Sequence, residues 1–408
     1  MSDNITHTSR RHYLAATAGV AGMSALAGCM GDDEEDVDTV VIGSNHPLTG
    51  DVARDGNHAN EGIKLAVEHA NEDGGIESLD GAELEVIEGD NQGAQELGAE
   101  VNSELVNDGA HVVLGAVTSP ATMAATQQAE RDGVPFVVTV GSDRDILTGR
   151  GLNYAYRPQP HQYQQAVDYA EMHPEAIREA GGEVETAGLI YVDNTFGQET
   201  VEGLNDHLPD NGVEVVAEQS FPFGPSNLDT QIAAMAEADP DIVSITSYVP
   251  GGQLAVQAMD EQDYWPDYLA CCTSTTFADE DIFRELGDSV EGVSNTITTA
   301  DASQDRYADI AADYEEETGD RLGMVGGIAY AATEVAIAAI EEAGSVDPDD
   351  VNEALSEITV EDHLLAMPPI EFNDEGENEN ALAPVNQIQD GVAEVVYPEE
   401  YATAEMQL

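Results

Sequence analysis

A chain of 408 residues in which 82 acidic side chains face 12 basic ones carries a formal charge of −70, and 41% of its residues are hydrophobic. That much apolar material excludes a disordered polyelectrolyte, and the negative charge excludes sequence-independent nucleic-acid binding and a polybasic membrane contact. At about 150 residues per domain, the length accommodates two or three domains.

Lys64 is the sole lysine, and the acids run along the whole chain rather than in one tail. Self-repulsion on this scale is quenched in molar salt, where the Debye length falls to about 3 Å. A strongly saline habitat is therefore expected, with loosening of the fold at low salt.

In chain order, Ser9-Arg10-Arg11-His12-Tyr13-Leu14 comes first, followed by an uncharged run from Ala15 to Ala27. A transmembrane helix needs about 20 apolar residues, so this run is too short to span, and the paired arginines fit a twin-arginine export signal over residues 1–28. Leu26-Ala27-Gly28-Cys29 resembles a lipobox, which makes Cys29 the expected lipidation site, and the acidic residues that follow form a tether over 29–38.

Short apolar runs then alternate with segments of helical period. Strands are predicted at Val40 to Gly43, Glu83 to Glu88, Val112 to Leu114 and Phe136 to Val140, with helices at Asn57 to Glu72, Ala94 to Asn107 and Ala121 to Arg131. A second series begins after Tyr156-Arg157-Pro158: helices start at Gln162, Gly197, Leu228 and Gly252, and strands at Ala187, Val213, Ile242 and Tyr268. The reading is an α/β fold in which a doubly wound, Rossmann-like parallel sheet occurs twice. An alanine-rich helix from Gly327 to Glu342 and apparent strands near Met367 to Phe372 and Ala393 to Tyr397 are shared between the halves. Cys271 and Cys272 are adjacent, which rules out a bridging framework and reads as two strand thiols on opposite faces; no zinc-type spacing occurs, and no cofactor or metal is expected.

Open α/β sheets bind ligands beyond the carboxyl ends of their strands. There Ser119 precedes Pro120, so it is either the cap of its helix or, with the backbone N–H groups, a carboxylate site. Gly141-Ser142-Asp143 follows the next strand; Asp143 is either surface charge or a partner for a ligand ammonium. In the second half, Phe196 and Tyr248 are candidates for an aromatic wall, or else pack under their own loops.

Several stretches together resemble the substrate-binding lipoproteins of branched-chain amino acid ABC transporters, the Leu/Ile/Val-binding family of type I periplasmic binding proteins. They are Ile42 to Gly50, Gly56 with Glu61-Gly62-Ile63-Lys64-Leu65-Ala66, Asn71 to Ile76, Asp90-Asn91-Gln92, Gly115 to Ser119, and Phe196-Gly197. The resemblance implies two lobes joined by three crossovers that close on a ligand at the hinge, 39–156 plus 297–366 forming one lobe and 157–296 plus 367–408 the other. It implies a carboxylate held by Ser119, Gly141, Ser142 and Asp143, with Phe196 and Tyr248 closing from the other lobe. Asp55 falls roughly where a first-lobe aromatic often sits. Thr273 and Ser274 stand where the family tends to offer an acid to the ammonium, leaving Asp143 or Asp193 to replace it.

The implied protein is a lipid-anchored monomer on the outer face of the membrane, capturing a branched-chain amino acid, urea or a short amide for an ABC permease. A ligand sensor of the same fold is an alternative, as is a secreted α/β hydrolase, although no GxSxG or HExxH motif is present.

Overall fold

The computed structural model describes residues 37–50 and 52–408. Arg10, Arg11, Cys29 and the tether as far as Asp36 lie outside the described residues. The first lobe opens with β1 (Thr39–His46), α1 (Ala53–Glu72), β2 (Glu83–Asp90), α2 (Gln95–Asn107), β3 (Val112–Gly115), α3 (Ser119–Asp132), β4 (Phe136–Val138) and β5 (Ala155–Tyr156). The second contains α4 (Gln162–Glu179), β6 (Thr186–Val192), α5 (Thr195–His207), β7 (Glu214–Phe221), α6 (Asp229–Ala238), β8 (Ile242–Thr246), α7 (Val249–Gln262), β9 (Tyr268–Cys272), α8 (Glu280–Leu286) and β10 (Ser294–Thr296). The chain then returns with α9 (Tyr307–Thr318), α10 (Met324–Ala343), α11 (Pro348–Glu357), β11 (Thr359–Val360) and β12 (Ile370–Glu371), and ends in β13 (Val385–Gln389) and β14 (Val392–Tyr397).

The first sheet has the order β2-β1-β3-β4-β5 and is parallel throughout. The second runs β7-β6-β8-β9-β10, the same order one lobe later, and is extended by antiparallel β13 and β14. The strand order reverses beside β1 and β6, so the loops after the strands of each sheet converge on one crevice.

Each sheet is packed on both faces, as near-continuous Val, Ile and Leu runs require. In the first lobe Ile42, Ile63, Val112 and Leu355 share one core with the alanines of α10, while Val101, Leu105, Val113 and Phe136 fill the opposite face. Cys271 and Cys272 fall into different cores of the second lobe, as strand alternation demands. Helix α10 is long and apolar enough to cross a membrane, but its alanines are buried in the first lobe. It lies close against α1 because Gly62 has no side chain: a Cβ there would stand 2.3 Å from the Gly326 carbonyl oxygen.

Two strands appear where no apolar run signals them, β10 and β13. The chain also stays with the first lobe beyond residue 366: Ile370 belongs to its core and Phe372 packs against it, and the second sheet is rejoined only at Val385. The first and third crossings are bolted together. Fully buried Arg157 donates from Nε to Glu377 Oε2 at 2.9 Å and from Nη1 to the Asp143 carbonyl at 2.8 Å. The Asp168 carboxylate accepts the Ala383 N–H at 2.8 Å.

Candidate functional site

Between the lobes lies a cavity of about 80 Å³. From the first lobe it is lined by Asp55, Ser119 and Ser142, from the second by Phe196, Tyr248 and Thr273.

Thr118 takes the N-cap position of α3, and its hydroxyl donates to the Gly93 carbonyl at 2.9 Å. Ser119 is therefore the first helical residue and does not cap its own helix; its Oγ accepts the Asp143 N–H at 3.3 Å, which leaves its proton to be donated elsewhere. The first turn of α3 adds unsatisfied backbone N–H groups beside it. Ser142 Oγ donates to Gln162 Oε1 at 3.1 Å.

Gly141 and Asp143 are not among the lining residues. The Gly141 N–H is already spent on the Ala116 carbonyl at 2.9 Å, and a Cβ on Gly141 would lie 2.5 Å from Thr122 Oγ1, so this glycine lets the loop sit against α3. The Asp143 carboxylate turns back to accept the Asp145 N–H at 2.9 Å. Asp193 accepts from Gln198 Nε2 at 2.8 Å on the exposed surface, so neither aspartate offers the cavity an acid.

In the second lobe the rings of Phe196 and Tyr248 are 5.1 Å apart and tilted by 37°, and Phe223 meets Tyr248 edge-on at 5.7 Å. Asn194 caps α5 by accepting the Gly197 N–H at 3.1 Å, which sets the Phe196 turn. Thr273 sits at φ 54°, a left-handed conformation that is strained for a β-branched residue. Its Oγ1 accepts a 2.6 Å bond from Gln162 Nε2, which also donates to Thr200 Oγ1 at 2.7 Å, so Gln162 ties Ser142 of one lobe to the other.

Gln159, Gln162, Gln165 and Thr298 also line the cavity, and strand-tip reasoning does not find them because they sit on crossings or at the start of α4. The available signal is the run Gln159, Gln162, Gln164, Gln165 directly after Arg157-Pro158, too rich in amides for an ordinary linker. Among the described residues Asp55 is the only charged side chain on the wall of this cavity. Burial raises its carboxyl above the ordinary carboxylate range, with Asp279 adding to the shift and His58 and Arg54 opposing it.

Ion pairs span the rim of the crevice. Arg54 Nη2 is 3.0 Å from Asp279, Arg144 Nε is 3.2 Å from Glu199, and Arg321 pairs with Glu280. A serine–histidine contact does exist, Ser44 Oγ to His46 Nδ1 at 3.0 Å, but Ser44 also donates to Asn60 at 2.7 Å, and both residues are wholly buried in the first lobe, away from the cavity. Burial lowers His46 to about 3, the opposite of a base poised near neutrality.

Two duplicated parallel sheets with a polar and aromatic cavity where their strand ends converge define a two-lobed α/β binding protein. The chain belongs to the family described as periplasmic binding protein, whose pattern matches residues 39–391. The family binds solutes and is not one of enzymes. The chain is similar to Leu/Ile/Val-binding protein homolog 7 of Brucella abortus (strain 2308), at 24% identity over 383 residues, covering 90% of this chain and 94% of the relative. Its fold is similar to that of the branched-chain amino acid transporter substrate-binding protein LivJ of Streptococcus pneumoniae, solved with isoleucine, at TM-score 0.72 and 18% identity over 88% of this chain and 100% of the other. It is also similar to a solute-binding protein of an ABC transporter from Rhodopseudomonas palustris, solved with 3,4-dihydroxybenzoic acid, at TM-score 0.73 and 21% identity over 87% and 95%.

Proposed function

We propose that this protein captures a small amino-acid-like solute, a branched-chain amino acid or a short amide, between its lobes and delivers it to an ABC permease. In this reading it is exported by the twin-arginine route, anchored through lipid on Cys29 outside the membrane of a salt-adapted organism, and acts as a monomer. The observation that carries the reading is the cavity itself, where Gln159 Nε2 and Oε1, Gln165 Oε1 and Thr298 Oγ1 are buried without partners among the described residues. Buried polar atoms are nearly always paired, and a solute bridging the lobes supplies the missing partners. The Ser119 hydroxyl and the first turn of α3 hold the solute's carboxylate or carbonyl oxygen, while Phe196 and Tyr248 cover its apolar part. Contacts on both lobes favour the shut arrangement over the open one by the difference in their affinities.

An aromatic acid such as benzoate fits less well, because it brings no N–H donor to the free acceptors Gln159 Oε1 and Gln165 Oε1. Titration calorimetry in molar potassium chloride with leucine, isoleucine, valine, acetamide, urea and benzoate tests the reading. Saturable one-site heat from an amino acid or amide is expected; silence from every one of these probes overturns it.

A further inference from the structure

The cavity has two ends of different chemistry. At the hinge end the free atoms belong to Gln159, Gln165 and Thr298, whose side chains are 2%, 5% and 1% exposed. Gln165 Nε2 donates to the Pro160 carbonyl at 3.2 Å, which orients that amide and leaves Oε1 as its free acceptor. Gln159 offers both a donor and an acceptor. None of these atoms has a partner among the described residues, and such atoms are completed by a ligand or by water.

At the other end Asp55 stands in a neck. With Thr275, Met324 and Val325 it borders both the main cavity and a second one of about 40 Å³ toward the rim. At roughly 10–15 Å³ per water-sized sphere, the two chambers together hold on the order of ten such spheres, so a solute that fills both must pass Asp55. Its carboxylate has no hydrogen-bond or ion-pair partner among the described residues, since the neighbouring Arg54 is turned to Asp279 and Asp281. An acid in the first turn of α1 complements the helix dipole, but that role is met equally well in water and gives no reason to set the acid on the cavity wall. Asp55 is half-buried, and desolvation raises its carboxyl although His58 and Arg54 pull the other way, which is the position of an acid without a directly bonded cation.

We infer that the solute carries an ammonium or other N–H-donating cation at the end away from the hinge, with Asp55 as its counter-charge. A linear amino acid ending in an ammonium is then preferred over the same carbon chain ending in a methyl. The Tyr248 ring, which lines the main cavity close enough to feel the Asp55 charge, adds cation–π attraction to the same group. This inference rests on the solute-capture reading above and names the solute class within it.

Lysine and norleucine share one six-carbon chain and differ only in the ammonium that lysine adds to its last carbon, which is charged at pH 7 with a pKa near 10.4. Calorimetry in molar potassium chloride at pH 7 would compare lysine, norleucine and leucine on the native protein and on Asp55→Asn. Lysine is expected to bind at least about tenfold more tightly than norleucine to the native protein, with the two about equal in the variant. If norleucine or leucine matches or exceeds lysine on the native protein, the counter-charge is overturned while capture of an amino acid stands. A lysine preference that survives in Asp55→Asn, with melting unchanged, also overturns the assignment. If none of the three binds, the ammonium-bearing solute is overturned, and capture itself is then decided by the amide and branched-chain probes above.

Discussion

The two lobes share one strand order, and loops in equivalent positions face each other across the crevice, yet they bring opposite chemistry to it. After β3 the first lobe presents Ser119, whereas after β8 the second presents Tyr248; the helix α1 carries Asp55 at its start where α5 carries Phe196. The pair after β4 and β9, Ser142 and Thr273, is polar on both sides and is joined through Gln162. In the proposed capture the first-lobe loops thus match the charged and hydrogen-bonding parts of a solute, the second-lobe loops supply apolar cover, and Gln159 and Gln165 add polar contacts from the crossing between them. Duplicated topology sets where the loops stand; only the side chains decide what each loop does.

The largest expected effect comes from salt, which acts on what the lobes share rather than on how they differ. Both are rich in acids, and few cations are available to offset them. Moving from molar to 0.1 M potassium chloride lengthens the Debye length from about 3 to about 10 Å. The melting temperature is expected to fall by on the order of 10 °C or more, read by circular dichroism. An unchanged melting temperature would remove the saline-habitat reading.

Arginines sort by position rather than by number. Replacing Arg157 by Leu leaves Glu377, itself only 7% exposed, as an uncompensated charge, and strands the Asp143 carbonyl. The cost is expected to be about 3–5 kcal/mol in urea unfolding at high salt. Arg54→Ala removes an exposed pair with Asp279, with Arg54 48% exposed, and is expected to cost under about 1 kcal/mol. Equal losses would mean that the hinge bolt and the rim contacts do the same job.

Asp168 ties α4 to the third crossing, and burial pushes its carboxyl up to about 7 despite the opposing bonds from the Ala383 N–H and Gln164. Its unfolded value is near 3.9. A raised carboxyl favours the protonated folded state, so the stability it contributes is present below pH 4 and lost as the pH rises through about 7. Asp168→Asn mimics the protonated form. Its stability relative to the native protein should improve by a few kcal/mol, as an order of magnitude, between pH 4 and pH 8. A constant difference across that range would contradict the shift.

How far the sequence reached follows the same division between strand tips and hinge. The parallel strands are legible because Val112, Val113, Ile242, Ile245 and their neighbours form apolar runs between helical segments, and Ser119, Ser142, Phe196 and Tyr248 come from looking beyond them, whereas Asp55 and Thr273 come only from the family resemblance. Strands β10 and β13 escape because they are buried yet polar. Ser294 and Thr296 bond to His173, and the amides of Asn295, Asn386 and Gln387 donate to backbone carbonyls, so these strands are polar and no hydrophobic run marks them. Gln159 and Thr298 escape because they lie on crossings whose positions depend on the packing of both lobes. Gly141 and Asp143 are adjacent to Ser142 in sequence, but the turn rotates them away, one against Thr122 and the other onto the Asp145 N–H.

The smallest effect discriminates most directly between the lobes. Ser119→Ala removes the hydroxyl proposed to donate to the solute's negative end, and is expected to weaken binding of the best amino-acid probe by about 1–3 kcal/mol at a stability cost under about 1 kcal/mol, since Thr118 and not Ser119 occupies the helix N-cap and the bond lost from the Asp143 N–H is long at 3.3 Å. Tyr248→Phe keeps the ring against Phe196 and loses a hydroxyl that only accepts a long 3.5 Å bond from Asn194, so a change under about 1 kcal/mol is expected. Calorimetry on the two variants in parallel reads both numbers. If Tyr248→Phe costs as much as Ser119→Ala, the second lobe is gripping polar atoms of the solute as well as covering it, and the division of labour between the lobes does not hold.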